Sequence, residues 1–237
     1  MCGRIDQSAP IERYLEALER STASALVQSQ AAPRYNVAPG SFRPLLHLDA
    51  AGEQLLVEDL HWGYQAAWAV GKVPVTINTR LEKITGNYWR GLLKSGRAIV
   101  PAEAWYEWTG EKGHKQPWRI FHSDRRPLFL AALANFGPAK ETKASAGFTI
   151  VTADALGGMV DVHDRRPVVL SPTDALEWLQ PDLTPQEAEH LARTASIAHD
   201  SFSWYPVSKM LSNVRNEGPM LIEPVTLTAD DEVGQGA

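Results

Sequence analysis

The sequence predicts a single α+β domain with a mostly antiparallel β core and flanking helices. Three observations support this fold class: short apolar runs separated by turn residues fill the middle of the chain, two capped helical patterns follow them, and no internal repeat or linker divides the sequence. The length of 237 residues fits one unit, because β-rich domains often reach about 200 to 250 residues. We expect the domain to cover residues 1–225.

The first predicted element is a short amphipathic helix. Its apolar residues Ile11, Tyr14, Leu15 and Leu18 follow the i, i+3, i+4, i+7 spacing, with glutamates on the opposite face. After a small, polar stretch the pattern changes to short apolar runs, most of them bounded by Gly, Pro, Asp or Ser, which is typical of strands separated by turns. These predicted strands are 44–48, 55–62, 98–100, 118–122, 128–134, 148–151 and 168–170.

Two surface helices are predicted after the strands. Ser171 and Thr184 each precede a proline, which places an N-cap residue before proline at the first helical position. The remaining segment, 226–237, contains three consecutive acidic residues and then Gly-Gln-Gly-Ala. It has little to bury, so we expect a disordered acidic tail.

The composition excludes several protein classes. One cysteine cannot form an internal disulfide, and no apolar leader follows Met1. No segment approaches the roughly 18 to 20 apolar residues that a membrane-spanning helix requires. We therefore expect a cytoplasmic monomer with no membrane partner.

The charge is distributed unevenly along the chain. The formal net charge is -5, yet residues 72–97 carry six positive and one negative side chain, a local net of +5. Residues 171–200 carry one positive and six negative side chains, a local net of -5. This pattern fits either two solvated surfaces of opposite sign or a basic face for nucleic acid.

The position of Cys2 gives it a reactivity that an internal cysteine does not have. Removal of Met1, expected before a small side chain, would leave an α-amine and a thiol on adjacent carbons. Their ordinary pKa values, about 7.7 to 8.0 and about 8.5, allow either group to react near neutral pH. Such an aminothiol converts an aldehyde into a Schiff base and then into a thiazolidine ring. The alternative is an incidental small residue at a frayed chain end.

His163 lies in a charged cluster between Asp161 and Asp164, followed by Arg165 and Arg166. A histidine between carboxylates can act as a general acid or base, and neighbouring arginines can bind an anion such as phosphate. No second histidine or carboxylate group stands at a recognisable metal-ligand spacing, so we expect no metal and no cofactor. A structural histidine is the alternative.

Glu107 lies in the aromatic run from Ala104 to Trp108. Strand alternation predicts Trp105 and Glu107 on one face and Tyr106 and Trp108 on the other. A carboxyl group among large aromatic side chains tends to a raised pKa, which suits proton transfer. The alternative is an edge-strand glutamate whose carboxylate reaches water.

Asn78 and Arg80 lie two residues apart inside the basic stretch, hence on the same face of an extended chain. They offer an amide and a guanidinium group to one polyanionic ligand. Aromatic residues nearby can stack on the bases of a single strand or belong to the core. These aromatic residues are Trp62, Trp68, Tyr88 and Trp89.

Seven segments together resemble the SOS-response-associated peptidase family, whose members sense abasic sites in single-stranded DNA. They occur in the order of the family and extend from residue 1 to about 225. The segments are Met1–Arg4, Arg34–Gly40, Trp62–Tyr64, Asn78–Glu82, Trp105–Trp108, Asp161–Pro167, and Val207–Ser208 with Asn213–Glu217. The resemblance implies the fold of this family and single-stranded DNA containing abasic sites as the partner.

The resemblance also implies a role for each matching residue. Cys2 resembles the catalytic residue that forms a thiazolidine with the open-chain abasic aldehyde, and Asn78 the asparagine that positions it. Glu107 resembles the glutamate that moves protons and is needed for self-removal of Met1, and His163 the histidine that assists opening of the sugar ring. By the same resemblance, Arg4, Arg80 and Arg165 would hold phosphates, and Asn36, Pro39 and Trp68 would line the DNA channel.

Two departures from the family pattern bear on DNA binding. Gln65-Ala66-Ala67 stands where many relatives have further aromatic residues, and Gly86-Asn87 where they often have an arginine. The leading hypothesis is covalent capture of abasic DNA with self-processing at Met1. The alternatives are a thiol peptidase that acts on other polypeptides through Cys2, and a non-catalytic reader of modified or single-stranded DNA.

Overall fold

The computed structural model describes residues 2–20, 22–111, 113–140, 142–155, 157 and 162–227. The helices in these ranges are α1 (Ile11–Ala17), α2 (Arg90–Ser95), α3 (Pro172–Leu179) and α4 (Pro185–Thr194). The strands in these ranges are β1 (Ile5–Gln7), β2 (Ala25–Val27), β3 (Arg34–Val37), β4 (Phe42–Leu48), β5 (Leu55–Trp62), β6 (Asn78–Arg80), β7 (Arg97–Ala102), β8 (Ala104–Thr109), β9 (Gln116–His122), β10 (Leu128–Ala134), β11 (Gly147–Asp154), β12 (Arg165–Pro167), β13 (Val169–Leu170) and β14 (Phe202–Pro206).

The described strands form two sheets. The smaller sheet has the order β14-β9-β8-β1-β3 and is antiparallel throughout. In the larger sheet, β11 pairs with β10 on one edge and in parallel with β5 on the other, which closes β11, β10, β7, β4 and β5 into a ring. β6 continues the β5 edge of β11, and β12 continues its β10 edge. The predicted mostly antiparallel β core is therefore confirmed.

Two apolar cores lie on the two faces of the larger sheet. One fills the space between the sheets and contains Cys2, Trp62 and Trp105, and the other separates the larger sheet from the helices and contains Trp178. Strand β10 explains why residues 128–134 are apolar at every position: alternate residues enter opposite cores. Because the sheets and helices share these cores, the described chain is a single domain with mixed helices and strands.

The predicted helix starts are confirmed. Ser171 Oγ accepts from the main-chain N–H of Asp174 at 3.2 Å, and Thr184 forms a reciprocal capping box with Glu187. Helix α1 also lies where the periodicity predicts it. None of the described helices combines the length and apolar character needed to cross a membrane. Of the predicted tail, residues 228–237 lie outside the described ranges.

One member of the basic stretch, Arg97, is not a surface cation. Its buried guanidinium group donates to the main-chain oxygens of Leu93 and Lys94 at the end of α2, and to those of Trp178 and Gln180 at the end of α3. A cation at a helix C-terminus satisfies carbonyl groups that have no partner within the helix. Arg97 is therefore a structural residue, and the basic stretch presents less charge to solvent than the sequence count of +5 suggested.

Candidate active site

The register of β1 against β8 brings the start of the chain to Glu107. Ile5 pairs with Trp105 and Asp6 with Ala104 in an antiparallel ladder. Because each step back along β1 is a step forward along β8, residue 3 lies opposite Glu107. Cys2, the residue before it in the chain, is fully buried in the core between the two sheets.

Asn78 reaches the same place from the larger sheet. It begins β6 and pairs with Ile150 of β11. Its side-chain Nδ2 donates to the main-chain oxygen of Cys2 at 2.9 Å. The amide therefore fixes the backbone of Cys2 across 76 residues of sequence.

The environment of the Cys2 thiol keeps it protonated. Burial raises its pKa well above the usual range, and the negative charge of Glu107 raises it further. This is the opposite of the electropositive, partly exposed surroundings of an activated thiolate. Cys2 is therefore positioned next to a carboxyl group but is not activated while it is enclosed.

Glu107 is buried in β8, with only 3% of its surface exposed. Burial raises its pKa to about 7, because the charged carboxylate is poorly solvated in the core. The group therefore exchanges a proton near neutral pH. The alternation predicted for this run is confirmed, since Trp105 packs between the sheets while Tyr106 and Trp108 pack in a separate cluster.

His163 faces Glu107 across the site. Its Nε2 lies 3.9 Å from Oε2 of Glu107, while its Nδ1 lies 2.7 Å from Oδ1 of Asp164 and accepts from the main-chain N–H of Arg165 at 3.0 Å. Partial burial lowers the pKa of His163, and the Asp164 carboxylate opposes that effect. Nδ1 thus has an N–H donor when it is deprotonated and a carboxylate acceptor when it is protonated, so the ring is held in both states.

A cavity of about 730 Å³ opens beside this pair, and we call it the site cavity. Glu107 and His163 form part of its lining. The other described residues of its lining are Arg4, Trp108, Gly113, Lys115, Lys209 and Ser212. Its size falls within the range of about 300 to 1,000 Å³ of small-molecule sites in proteins. The cavity therefore connects the acid–base pair to solvent.

Arg4 and Asn36 form one buried unit. Nη1 of Arg4 donates to Oδ1 of Asn36 and to the main-chain oxygen of Leu211. The amide nitrogen of Asn36 donates to the main-chain oxygens of Leu211, Asn213 and Asn216. Arg4 also lines the site cavity. Asn36, which was expected to line a DNA channel, is instead buried and holds the 211–216 segment against Arg4.

Arg165, expected as a phosphate ligand, is buried and bonded to the protein. Its terminal nitrogens donate to Glu82, Asp154 and Thr152 at distances from 2.6 to 3.3 Å. Through these contacts Arg165 joins the segment after β6, which carries Glu82, to β11, which carries Thr152 and Asp154. The geometry fits a residue that holds His163 in place better than it fits a phosphate ligand.

The remaining predicted DNA contacts lie at the surface in different degrees. Trp68 is 68% exposed and contacts Tyr88 edge-to-face, Arg80 is exposed, and Pro39 is partly buried between β3 and β4. Trp62 and Trp89, considered for base stacking, are buried core residues. In the described residues Trp68 and the partly buried Tyr88 are therefore the aromatic surface of this region.

Nothing in the described ranges of the chain gathers three or more His, Cys, Asp or Glu side chains around a possible metal position. Asp161, a member of the charged cluster around His163, lies outside the described residues.

Sequence reasoning missed Lys115 and Lys209. Both lie outside the basic stretch, each at the edge of a loop that enters the site cavity. The signal available in the sequence was weak. Lys115 lies two residues after Gly113, and Lys209 directly follows the Val207-Ser208 segment. Their convergence depends on the pairing of β9 with β8 and β14.

Comparison with protein families gives one match that covers most of the chain. The model described as SOS response associated peptidase (SRAP) matches residues 1–214. Three curated proteins illustrate the similarity. The abasic site processing protein YedK of Escherichia coli K12 is 40% identical over 95% of this chain and 100% of its own length. The abasic site processing protein YoqW of Bacillus subtilis 168 is 30% identical, with 94% and 99% covered, and HMCES of Gallus gallus is 28% identical, with 98% and 80% covered.

Solved structures agree with these matches. A phage-related protein from Bordetella bronchiseptica superimposes with a TM-score of 0.73 at 39% identity, covering 88% of this chain and 95% of its own. A protein from Bacteroides thetaiotaomicron also has a TM-score of 0.73, at 18% identity, with 95% and 100% covered. The second similarity concerns the fold alone.

Proposed function

The chain belongs to the SOS response associated peptidase family, and from this membership we propose that it captures abasic sites in single-stranded DNA by forming a thiazolidine at Cys2. The observation that carries the proposal is the convergence of Cys2, Asn78, Glu107 and His163, which come from four separate segments of the chain. The abasic site processing proteins among its relatives support the same substrate.

The covalent step needs an amine and a thiol on one residue. Once Met1 is removed, the α-amine of Cys2 attacks the C1′ aldehyde of the open abasic sugar and the carbinolamine loses water to give an imine. The Cys2 sulfur then adds to the imine carbon, and the nitrogen takes up the thiol proton. One water leaves, and a C–N and a C–S bond remain. Asn78, bonded to the Cys2 main chain, orients this residue during both additions.

Glu107 is suited to the proton transfers of these additions. With a pKa of about 7 it can protonate the departing hydroxyl group and later accept the thiol proton. The high thiol pKa makes such an acceptor necessary, because the sulfur attacks as thiolate. His163, held at Nδ1 in both protonation states, assists opening of the sugar ring from the other side of the cavity.

The DNA strand needs cations and aromatic surface. We propose that Arg80 and Arg4 contact phosphates and that Trp68 with Pro39 supports the bases near the lesion. Asn36 and Arg165 serve this binding indirectly, by fixing Arg4 and His163. Self-removal of Met1, with Glu107 as the proton carrier, is part of the same proposal.

A thiol peptidase acting on other polypeptides is less consistent with the site. Such an enzyme requires a thiolate of lowered pKa, whereas burial and Glu107 raise that of Cys2. Turnover of a peptide substrate in the absence of DNA would favour this alternative.

Intact mass spectrometry tests the proposal directly. The purified protein should be lighter than the full sequence by one methionine residue, and incubation with a single-stranded oligonucleotide bearing an abasic site should add the oligonucleotide mass less one water. An undamaged oligonucleotide and the variant Cys2→Ala should give no adduct. Wild-type protein that remains unmodified by the abasic oligonucleotide would overturn the proposal.

A further inference from the structure

The site cavity carries positive charge that the thiazolidine chemistry does not use. Three cations, Arg4, Lys115 and Lys209, are among its described lining residues, and Glu107 is the carboxylate there. Glu107 is itself partly protonated near neutral pH, since burial raises its pKa to about 7. The cavity therefore favours an anion.

The two lysines reach the cavity from unrelated segments. Lys115 immediately precedes β9, after a turn in which Gly113 has a φ of +98°. Lys209 begins the 3₁₀ turn Lys209–Ser212, which follows β14. Both residues are exposed, and the pairing of β9 with β14 brings their segments together.

Trp108 supplies a flat wall between the charged groups. The guanidinium carbon of Arg4 lies 5.3 Å from the centre of its ring, and its Nε1 donates to Oγ of Ser212 at 3.1 Å. The indole is therefore held between Arg4 and the turn that carries Lys209. Lysine donors beside a fixed aromatic wall are the groups that bind a nucleotide unit of a single strand.

We propose that Lys115 and Lys209 form a phosphate clamp for the nucleotide next to the lesion, on one side of it only. The inference rests on the proposed function, because the abasic sugar must lie against Glu107 and His163 for the clamp to hold its neighbour. Asn78 contacts Cys2 from the larger sheet, on the strand that also carries Arg80, while the clamp belongs to loops of the smaller sheet. The two sets of contacts therefore hold different sides of the strand.

Lys115 has a second effect on the site. Burial dominates the pKa values of both Glu107 and His163, raising the first and lowering the second, and the positive charge of Lys115 lowers both. A phosphate on Lys115 offsets that charge, so strand binding raises the proton affinity of the acid–base pair.

Binding of an undamaged single-stranded oligonucleotide tests the clamp without any chemistry. Lys115→Gln and Lys209→Gln should each weaken binding severalfold and reduce the slope of log K against log salt by about 0.7. Lys115→Arg should retain most of the affinity. The matched control is Lys140→Gln, an equal charge change at an exposed lysine outside the cavity and the basic stretch. Equal binding by the three glutamine variants would overturn the clamp.

Cross-linking to shortened oligonucleotides tests its one-sidedness. One oligonucleotide carries nucleotides only 5′ of the abasic site, the other only 3′. Both lysine variants should react severalfold more slowly than wild type with one of the two and equally fast with the other. An equal loss of cross-linking rate with both oligonucleotides would show that the lysines only attract the strand electrostatically, and it would overturn the clamp. If wild type forms no adduct, the proposed function fails, while the binding measurement still decides on the clamp.

Discussion

Arg165 and Glu82 face each other as a two-pronged ion pair: Nη1 and Nη2 of Arg165 donate to the two carboxylate oxygens of Glu82 at 3.1 and 3.2 Å. Glu82 lies two residues after Arg80, and Arg165 two residues after His163. The pair therefore joins the segment of Asn78 to that of His163. Bidentate geometry with a buried arginine gives such a link more rigidity than a surface ion pair has.

The substitution Glu82→Gln should slow cross-linking by about tenfold at saturating DNA, because misplacing a reacting group slightly is enough for such a loss. Affinity for undamaged single-stranded DNA should remain unchanged. Single-turnover kinetics and fluorescence anisotropy measure the two quantities. The matched control is Glu189→Gln, which breaks the Glu189–Arg193 pair on α4. A loss of rate shared by both variants would contradict a positioning role for Glu82.

Replacing Glu107 by glutamine should lower the cross-linking rate by about 10² or more at pH 6. Because its pKa is about 7, the acid form that releases water from the carbinolamine disappears as the pH rises through that value. The ratio of the wild-type rate to the Glu107→Gln rate should therefore fall as the pH rises across 7. Taking this ratio also cancels the titration of the α-amine, which both proteins share. A ratio independent of pH would argue against proton transfer by this group.

The same shift makes a prediction for stability. The folded protein holds the Glu107 proton up to about pH 7, whereas an unfolded glutamate releases it near pH 4.3. Stability from this group is therefore present at low pH and is lost as the pH rises through 7. Measured by urea denaturation, the free energy of unfolding of Glu107→Gln should exceed that of wild type by about 4 kcal/mol at pH 8 and by little at pH 4.5, at about 1.36 kcal/mol for each unit of pKa shift. A constant difference at both pH values would show another cause.

Two arginines of the basic stretch should respond differently to substitution. Arg97→Gln leaves buried helix-end carbonyls without donors and should cost about 2 to 4 kcal/mol in free energy of unfolding. Arg90→Gln, at an exposed position of the same stretch, should leave stability unchanged and weaken DNA binding. Denaturation curves and anisotropy titrations on both variants distinguish the roles. Loss of DNA affinity without loss of stability in Arg97→Gln would contradict its structural role.

Trp68→Ala should weaken binding of single-stranded DNA by about 1 to 3 kcal/mol, the contribution of stacking on one base. Because 68% of the Trp68 surface is exposed, the melting temperature should change little. Trp178→Ala, which removes a core side chain of α3, should lower the melting temperature and leave the affinity for DNA unchanged. Unchanged affinity in Trp68→Ala would remove this residue from the binding surface.

The sequence was informative wherever the cause of structure is local. Caps at Ser171 and Thr184 act within three residues, and the continuous apolar run of residues 128–134 can be recognised as a strand from those seven residues. It was misleading for Arg97, which looks like a surface charge until its guanidinium group meets the main-chain oxygen of Trp178 in α3, 81 residues away. The contacts that Asn36 and Arg165 make within the protein could not be predicted for the same reason, since their partners lie up to 180 residues away.

The four residues of the proposed chemistry were found through motifs and not through spacing. Cys2 and Asn78 are 76 residues apart, and nothing in their local patterns indicates that a side-chain amide would bond to the Cys2 backbone. Lys115 and Lys209 had no motif and were missed. Distant contacts of this kind depend on strand register, which sequence patterns define poorly.

Because β1 pairs with β8, the first residues of the chain complete their site only after about half of the chain has been synthesised. The ribosome delivers Cys2 first, yet its surroundings come from β8, from β6 and from the segment before β12, which are made much later. Because the proposed self-removal of Met1 uses Glu107, the α-amine of Cys2 is freed only after the nascent chain has extended past β12 and folded. Folding itself switches this chemistry on.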